Sequence, residues 1–339
     1  MNNEKCVIMF TKNRPETLSK SLPSLINAEL SVIVLDDSTN KETQLIIDSI
    51  SKKGKNIHYH GRQEQMELIQ KVAKLGSDPN YFIKPLGING WNLGYVRNYA
   101  IIQAKALGFK QILFMDDDII IKENNIIQDM MRYLVNADFV GAKISGMPDD
   151  SIVGHVMRKL GMHPYEFLSC GFLAFNLDSV SEFFLNYYNE DWIWLFLHKP
   201  KAKLVKYREV YQLPYNPFEN AAEKALQQEF GEILVEGVKY IIETDKDSSL
   251  LINKNTWNLV VKRRIKMIKE IIMRSERNDF QTGITIGNEL LELIQNMKVE
   301  DFINLFTGYF NGREAWLDII GSLNGSKTTA NCPIRRLYE

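Results

Sequence analysis

At 339 residues the chain is long enough for one large α/β domain and a smaller companion. Its hydrophobic share of 45% and charged share of 24% are those of a globular protein, and a net charge of −1 excludes the global basic field of a dedicated nucleic-acid binder. Cys6, Cys170 and Cys332 lie far apart without a CxxC pair, no apolar run approaches the roughly 18 residues of a membrane span, and no signal-peptide core opens the chain. These features predict reduced thiols, no integral membrane span and a cytoplasmic location, with peripheral membrane contact left open.

The first half alternates between two hydrophobic periods. Apolar β-rich runs at 6–11, 31–37, 56–60 and 111–118 predict strands. Helical spacing fills the intervals at 15–28, 41–53, 63–76 and 94–109. Near-continuous apolar strands separated by helices predict a mostly parallel sheet with helices on both faces. Ligands of such sheets sit beyond the carboxyl ends of the strands, where Thr11, Asp36, Asp37 and Asp116–Asp118 all fall. Further strands are predicted at 138–146, 167–177 and 203–213, with an aromatic helix opening at "YNEDWIWLFL" (188–197). Beyond two prolines at 214 and 217 the pattern turns helical, which predicts an α/β part over 1–217 and a helical part over 218–339. Within the first part, a nucleotide half would span about 1–118 and an acceptor half about 119–217.

"ILFMDDDII" (112–120) concentrates three carboxylates at a strand end. Adjacent acids repel, so they require either free solvation in a turn or a counter-charge. Mg²⁺ and Mn²⁺ take carboxylate oxygens and keep open positions for phosphate. In an extended segment the side chains of Asp116 and Asp118 point the same way and that of Asp117 points elsewhere. A divalent metal is the counter-charge this pattern predicts.

Several stretches, taken in order, resemble the GT-A glycosyltransferases, in particular the inverting family 2-like group. They are "TKNRPETL" (11–18), "VLDDS" (34–38), "GWNLGYVRNYAIIQA" (90–104), the D-x-D of 116–118, "CGFLAFNLDSV" (170–180) and "NEDWIWL" (189–195). The resemblance implies a GT-A fold and transfer of a sugar from a nucleoside-diphosphate donor, most commonly a UDP-sugar, with inversion. It implies a Mn²⁺ or Mg²⁺ cofactor on Asp118, with Asp116 toward ribose hydroxyls or metal-bound water. Asp191 would be the general base, beside Gly171, Glu190 and Trp192 on the acceptor side. Thr11, Asn13, Arg14, Asp36, Asp37, Gly94, Arg97, Asn98, Asp116 and Asp117 would contact the nucleotide sugar. Gly87, Gly90 and Gly94 read as a permissive loop that leads Arg97 and Asn98 into the first turn of a phosphate-facing helix.

Each residue also has a plainer reading. Asp191 sits where an N-cap belongs, and Arg97 is of a type that often pairs with a surface acid. The third-ligand histidine common in the resembling family is missing from "KLVKYREVYQLPYNPF", while His155, His163 and His198 are of a kind more often structural. A sugar nucleotidyltransferase is the less favoured enzyme alternative, because "TKNRPETL" lacks its glycine-rich loop. A non-catalytic GT-A scaffold is the other, although both acidic motifs are intact. The acceptor stays open among glycan, lipid-linked glycan, peptide, nucleic-acid base and small molecule. The C-terminal helices, including the basic stretch 262–274, are read as packed helices with a solvated charged face, leaving a homodimer or membrane contact open.

Overall fold

In a computed structural model the described residues are 4–26, 30–39, 41–52, 57–73, 82, 92–123, 125–244 and 247–324. Gly87, Gly90 and Cys332 lie outside them. The strands are β1 (Lys5–Thr11), β2 (Ser31–Asp36), β3 (Ile57–His60), β4 (Gln111–Asp116), β5 (Ile119–Ile120), β6 (Phe139–Gly146), β7 (Phe172–Asn176) and β8 (Leu204–Gln212). They form one sheet in the order β3-β2-β1-β4-β7-β6-β8-β5. β3, β2, β1 and β4 run parallel; β7 lies antiparallel between β4 and β6, and the short β5 closes antiparallel on β8.

Side chains alternate across each central strand, and both faces are apolar. Ile8, Phe10, Ile33, Leu35 and Phe114 point into one core; Val7, Met9, Val32, Val34 and Met115 point into the other. The second core is closed by α1 (Pro15–Ser21), α2 (Glu42–Ser51) and α5 (Ile126–Tyr133). The first is closed by α3 (Arg62–Ala73), α4 (Leu93–Ala106), α6 (Ile152–Lys159) and α7 (Glu190–His198). The α/β class expected from the alternating pattern is therefore the one observed.

The helices α8 (Ala221–Thr244), α9 (Lys254–Arg277), α10 (Gln281–Asn296) and α11 (Val299–Asn324) extend the first core instead of building a separate one. Trp257 stacks on Phe302 at 4.8 Å, and Phe183 stacks on Tyr309 at 4.5 Å. Glu182, buried beside α7, accepts bonds from Tyr309 Oη and from both Nε and Nη2 of Arg313, each at 2.7 Å. Among the described residues no helix is long and apolar enough to cross a membrane.

Two expected elements are shorter than their patterns. α1 gives way to a 3₁₀ turn at Leu22–Leu25, because Pro23 has no N–H and its ring would strike the preceding helical turn. The strand expected over 167–177 forms only as β7; before it, the carbonyl of Gly171 accepts the N–H of Asp116 at 2.9 Å.

Candidate functional site

Register brings the acidic strand ends together. Thr11 at the end of β1 pairs with Asp36 of β2, and Phe10 pairs with Asp116 of β4. Beyond these ends opens a cleft of about 640 Å³. Asp116, Asp118, Arg14, Arg97, Glu190, Asp191 and Trp192 all line it. Its far wall comes from α8 and α9, through Glu232, Glu236 and Arg264.

The three adjacent carboxylates separate as their alternation requires. Asp117 turns away and is fully buried, accepting the Thr11 hydroxyl at 2.7 Å and pairing with the Arg14 guanidinium. Asp118 faces the cleft; its Oδ2 meets Arg14 Nη1 at 3.0 Å and Gln212 Nε2 at 3.3 Å, while its buried Oδ1 has no hydrogen-bond partner. Asp116 lies 3.7 Å from Arg97 Nη2. Removal from water pushes the Asp116 carboxyl up to about 6 and that of Asp117 up to about 7, with the neighbouring acids adding to the rise.

Arg97 is a buried bridge. The expected helix begins at Leu93, so Arg97 and Asn98 fall in its second turn instead of its first. The Arg97 guanidinium pairs with Glu190, approaches Asp116, and lies 5.7 Å from the ring of Phe10 and 5.8 Å from that of Phe184. It reaches the cleft from beneath, not from a helix N-terminus. Burial pushes Glu190 up to about 8, in spite of Arg97.

Asp191 enters through a left-handed turn. Asn189, the residue before α7, has φ 61°, a conformation asparagine tolerates, and its amide donates to Glu232 Oε1 at 2.7 Å. The Asp191 carboxylate is not the helix cap: Oδ2 accepts the Cys170 N–H at 3.0 Å and Oδ1 accepts that of Trp192 at 2.8 Å. Two backbone donors fix its direction, and each oxygen keeps a further acceptor site. The first turn of a helix also favours its negative charge.

Other expected contacts serve the scaffold. Asn98 is fully buried and spends its side chain on backbone, donating to Phe82 O at 3.0 Å and Phe184 O at 2.9 Å and accepting from Phe184 N at 2.7 Å. A Cβ on Gly94 would lie 2.3 Å from the carbonyl oxygen of Leu185, so this glycine permits close packing of α4 on that segment, inside the helix and not in a loop before it. Gly171 leaves room beside the Asp116 carboxylate, where a Cβ would stand 3.2 Å from Oδ2. Asn13, at φ 53°, ties two strand-end loops together by accepting the Thr39 N–H at 2.9 Å while its own N–H donates to Ser38 Oγ at 2.7 Å. Asp36 accepts the Ser38 N–H at 2.9 Å, and burial raises its carboxyl above the ordinary range. Asp37 pairs with Lys12 at 2.7 Å and accepts the Asn92 amide at 3.3 Å. Both aspartates are buried at the β2 end and neither lines the cleft.

Asp149, Tyr215, Glu232, Glu236 and Arg264 line the cleft without having been singled out from the sequence. Asp149 is pushed up to about 7, by loss of bulk water first and then by Asp191. An acid pair after a predicted strand, "GMPDDS" (146–151), was the available signal for it. None existed for the C-terminal residues, because a long helix exposes many glutamates and only packing selects which face inward.

His198 and His155 have scaffold partners, and His163 is exposed. His198 Nε2 accepts the N–H of Ser181 at 3.0 Å, its Nδ1 lies 2.8 Å from the Trp194 carbonyl, and burial lowers it to about 4. His155 Nε2 lies 3.0 Å from Tyr215 Oη. Among the described residues no group of three or more His, Cys, Asp or Glu side chains is arranged to hold a metal. What the cleft does offer a hard cation is the unpartnered Oδ1 of Asp118, with Asp116 beside it. That donor set fits an ion bound by one or two carboxylates and completed by ligand oxygens and water.

The fold is α/β, and residues 6–66, from β1 into α3, match the family described as Glycosyl transferase family 2. No curated protein matches the chain. Among solved structures it is similar to a mannosyltransferase from Pyrobaculum calidifontis in complex with GDP-Man and Mn²⁺, at 10% identity and TM-score 0.49, over 95% of this chain and 86% of that one. It is also similar to mouse xyloside xylosyltransferase 1 (15% identity, TM-score 0.31, 51% of this chain and 67% of that one). A third likeness is to 4-diphosphocytidyl-2C-methyl-D-erythritol synthase from Anaerococcus prevotii (11% identity, TM-score 0.37, 67% of this chain and 96% of that one). At these identities and TM-scores none of the likenesses assigns a donor, a metal or a residue role to this chain.

Proposed function

We propose that the protein is an inverting glycosyltransferase that moves a sugar from a nucleoside-diphosphate donor, of which UDP-sugars are the first choice, to an acceptor hydroxyl or amine. The observation that carries this reading is the convergence of Asp116 and Asp118 from the end of β4 and Asp191 from the start of α7 on one cleft. A cleft of about 640 Å³ falls within the roughly 300–1,000 Å³ of small-molecule sites.

Asp191 acts as the general base. Its backbone-fixed carboxylate takes the proton of the acceptor as that group attacks the anomeric carbon, and a single displacement inverts configuration. The nucleoside diphosphate is a weakly basic leaving group, so no general acid is required. Asp118, with Asp116, would hold a divalent cation, which supplies Lewis-acid stabilisation of the departing diphosphate. Trp192 and Glu190 border the acceptor side, Trp192 in an aromatic group with Tyr165 and Phe167 at 5.8 and 6.0 Å. Thr11, Asn13, Asp36 and Asp37 do not line the cleft; they would hold the two strand-end loops at its nucleoside end. The residues before about 218 form the transferase part, the helices after it complete the acceptor wall, and the location is cytoplasmic.

Titration of UDP-glucose, UDP-GlcNAc, UDP-galactose and GDP-mannose, with and without Mn²⁺, tests the reading on wild type and Asp118→Ala. Metal-dependent binding of one donor, lost in the variant, is the expected result. Failure of every donor to bind in either condition would remove the nucleotide-sugar reading and favour a non-catalytic scaffold.

A further inference from the structure

The carboxylates at the end of β4 already have counter-charges of two different kinds. Arg97 is locked: its side chain is 2% exposed, it lies under the cleft, and it shares its charge with Glu190. Arg14 is not. Its side chain is 48% exposed, it stands at the N-cap position of α1 facing the cleft, and it spans Asp117 and Asp118 with its two terminal nitrogens. When Arg14 leaves, neither carboxylate is stripped of hydrogen bonds. Asp117 keeps the Thr11 hydroxyl at 2.7 Å and Asp118 keeps the Gln212 amide at 3.3 Å.

What those neutral donors do not replace is charge. Asp116, Asp149 and Asp191 surround Asp118 in the cleft, and Arg97 is divided between Asp116 and Glu190. Loss of Arg14 removes a positive charge from beside Asp118, whose Oδ1 is already buried without a partner. A small divalent cation can restore that charge through carboxylate oxygens.

We propose that Arg14 is a displaceable counter-cation: it occupies Asp117 and Asp118 while the donor is absent, yields Asp118 to a divalent cation, and then presents its guanidinium to the donor's diphosphate. This rests on the nucleotide-sugar reading for the diphosphate alone; competition between Arg14 and a cation stands independently of it. The consequence is coupling. Metal and diphosphate each favour the state in which Arg14 has left the carboxylates, so each tightens the binding of the other. Arg14 thus lowers the negative charge that the cleft presents to an anionic donor until both ligands are present.

Isothermal titration of MnCl₂ alone into the full chain, without nucleotide, tests the competition on wild type, Arg14→Ala, Arg14→Lys and the double variant Arg14→Ala/Asp118→Ala. Arg14 is half exposed, so its removal leaves the fold intact, which an unchanged melting curve verifies. Arg14→Ala should bind Mn²⁺ about tenfold or more tightly than wild type, because a unit charge a few ångströms from a divalent ion is removed. Arg14→Lys should stay near wild type, and the double variant should lose the gain. Equal affinities in wild type and Arg14→Ala, or no binding in either, would overturn the proposal. UDP and GDP titrated at saturating Mn²⁺ provide the second limb. Loss of about tenfold in nucleotide affinity in Arg14→Ala is expected from one missing charge-assisted contact. If neither nucleotide binds wild type while the Mn²⁺ difference holds, the nucleotide-sugar reading fails and the competition remains.

Discussion

Asp191 and Arg97 show how differently two charged side chains are held at one site. Asp191 is oriented by two backbone N–H groups, and in the proposed base role its effect would be confined to chemistry. Asp191→Asn is expected to lower transfer by about 10²–10⁴-fold with donor affinity unchanged, measured by initial rates alongside donor titration. Arg97 is a structural ion-pair partner. Arg97→Met would leave Glu190 buried without its cation, and breaking such a pair costs about 3–5 kcal/mol. A chemical-denaturation midpoint for this variant should fall markedly, before any question of catalysis arises.

Among the elements, the packing of α8 on α9 encloses a buried charge group. Arg264 is 1% exposed; it makes paired bonds to Glu229 at 2.7 and 2.6 Å and further contacts to Glu232 and Glu236. Burial pushes the Glu229 carboxyl up to about 7, although Arg264 opposes the shift. Between its ordinary value and about 7 the native chain holds a proton there that the unfolded chain lacks. Stability from this group is therefore fully present at low pH and lost as pH rises through about 7. Glu229→Gln should reduce the difference in melting temperature between pH 5 and pH 8, as followed by circular dichroism. The same helices explain the basic stretch 262–274: Arg264 turns inward to the acids, while Lys262, Arg263, Lys266 and Lys269 remain on the solvated face.

For the molecule as a whole, one buried carboxylate ties α11 to the α/β part. Glu182 accepts from Tyr309 and Arg313 of α11, and its carbonyl accepts the indole N–H of Trp194 in α7 at 2.7 Å. The apolar core runs without a break from β1 to α11. Thermal unfolding followed by tryptophan fluorescence and by far-UV circular dichroism should give coincident transitions. Two separated transitions would show the helices melting apart from the α/β part. Arg313→Met should shift both probes together to lower temperature.

Local chemistry decided much of this protein from its sequence. The strand–helix alternation to β4 was legible because β1, β2 and β4 are apolar on both faces and are separated by segments of helical spacing, patterns that need no partner to be recognised. The opposite facing of Asp116 and Asp118 against Asp117 follows from backbone alternation, and the prolines at 214 and 217 mark where strands cease. The helix α11 was harder to read, since Gly308 and Gly312 interrupt a stripe formed by Phe302, Phe306, Tyr309 and Trp316. Tertiary structure alone decided the roles of Asn98, Gly94 and Arg97, whose partners at Phe184, Leu185 and Glu190 lie some ninety residues away in sequence. It also decided that Arg14 is a counter-charge of the acidic cluster and that α8 and α9 wall the cleft. Periodicity specifies which way a side chain points from its own element; only the packing of elements specifies what it meets there.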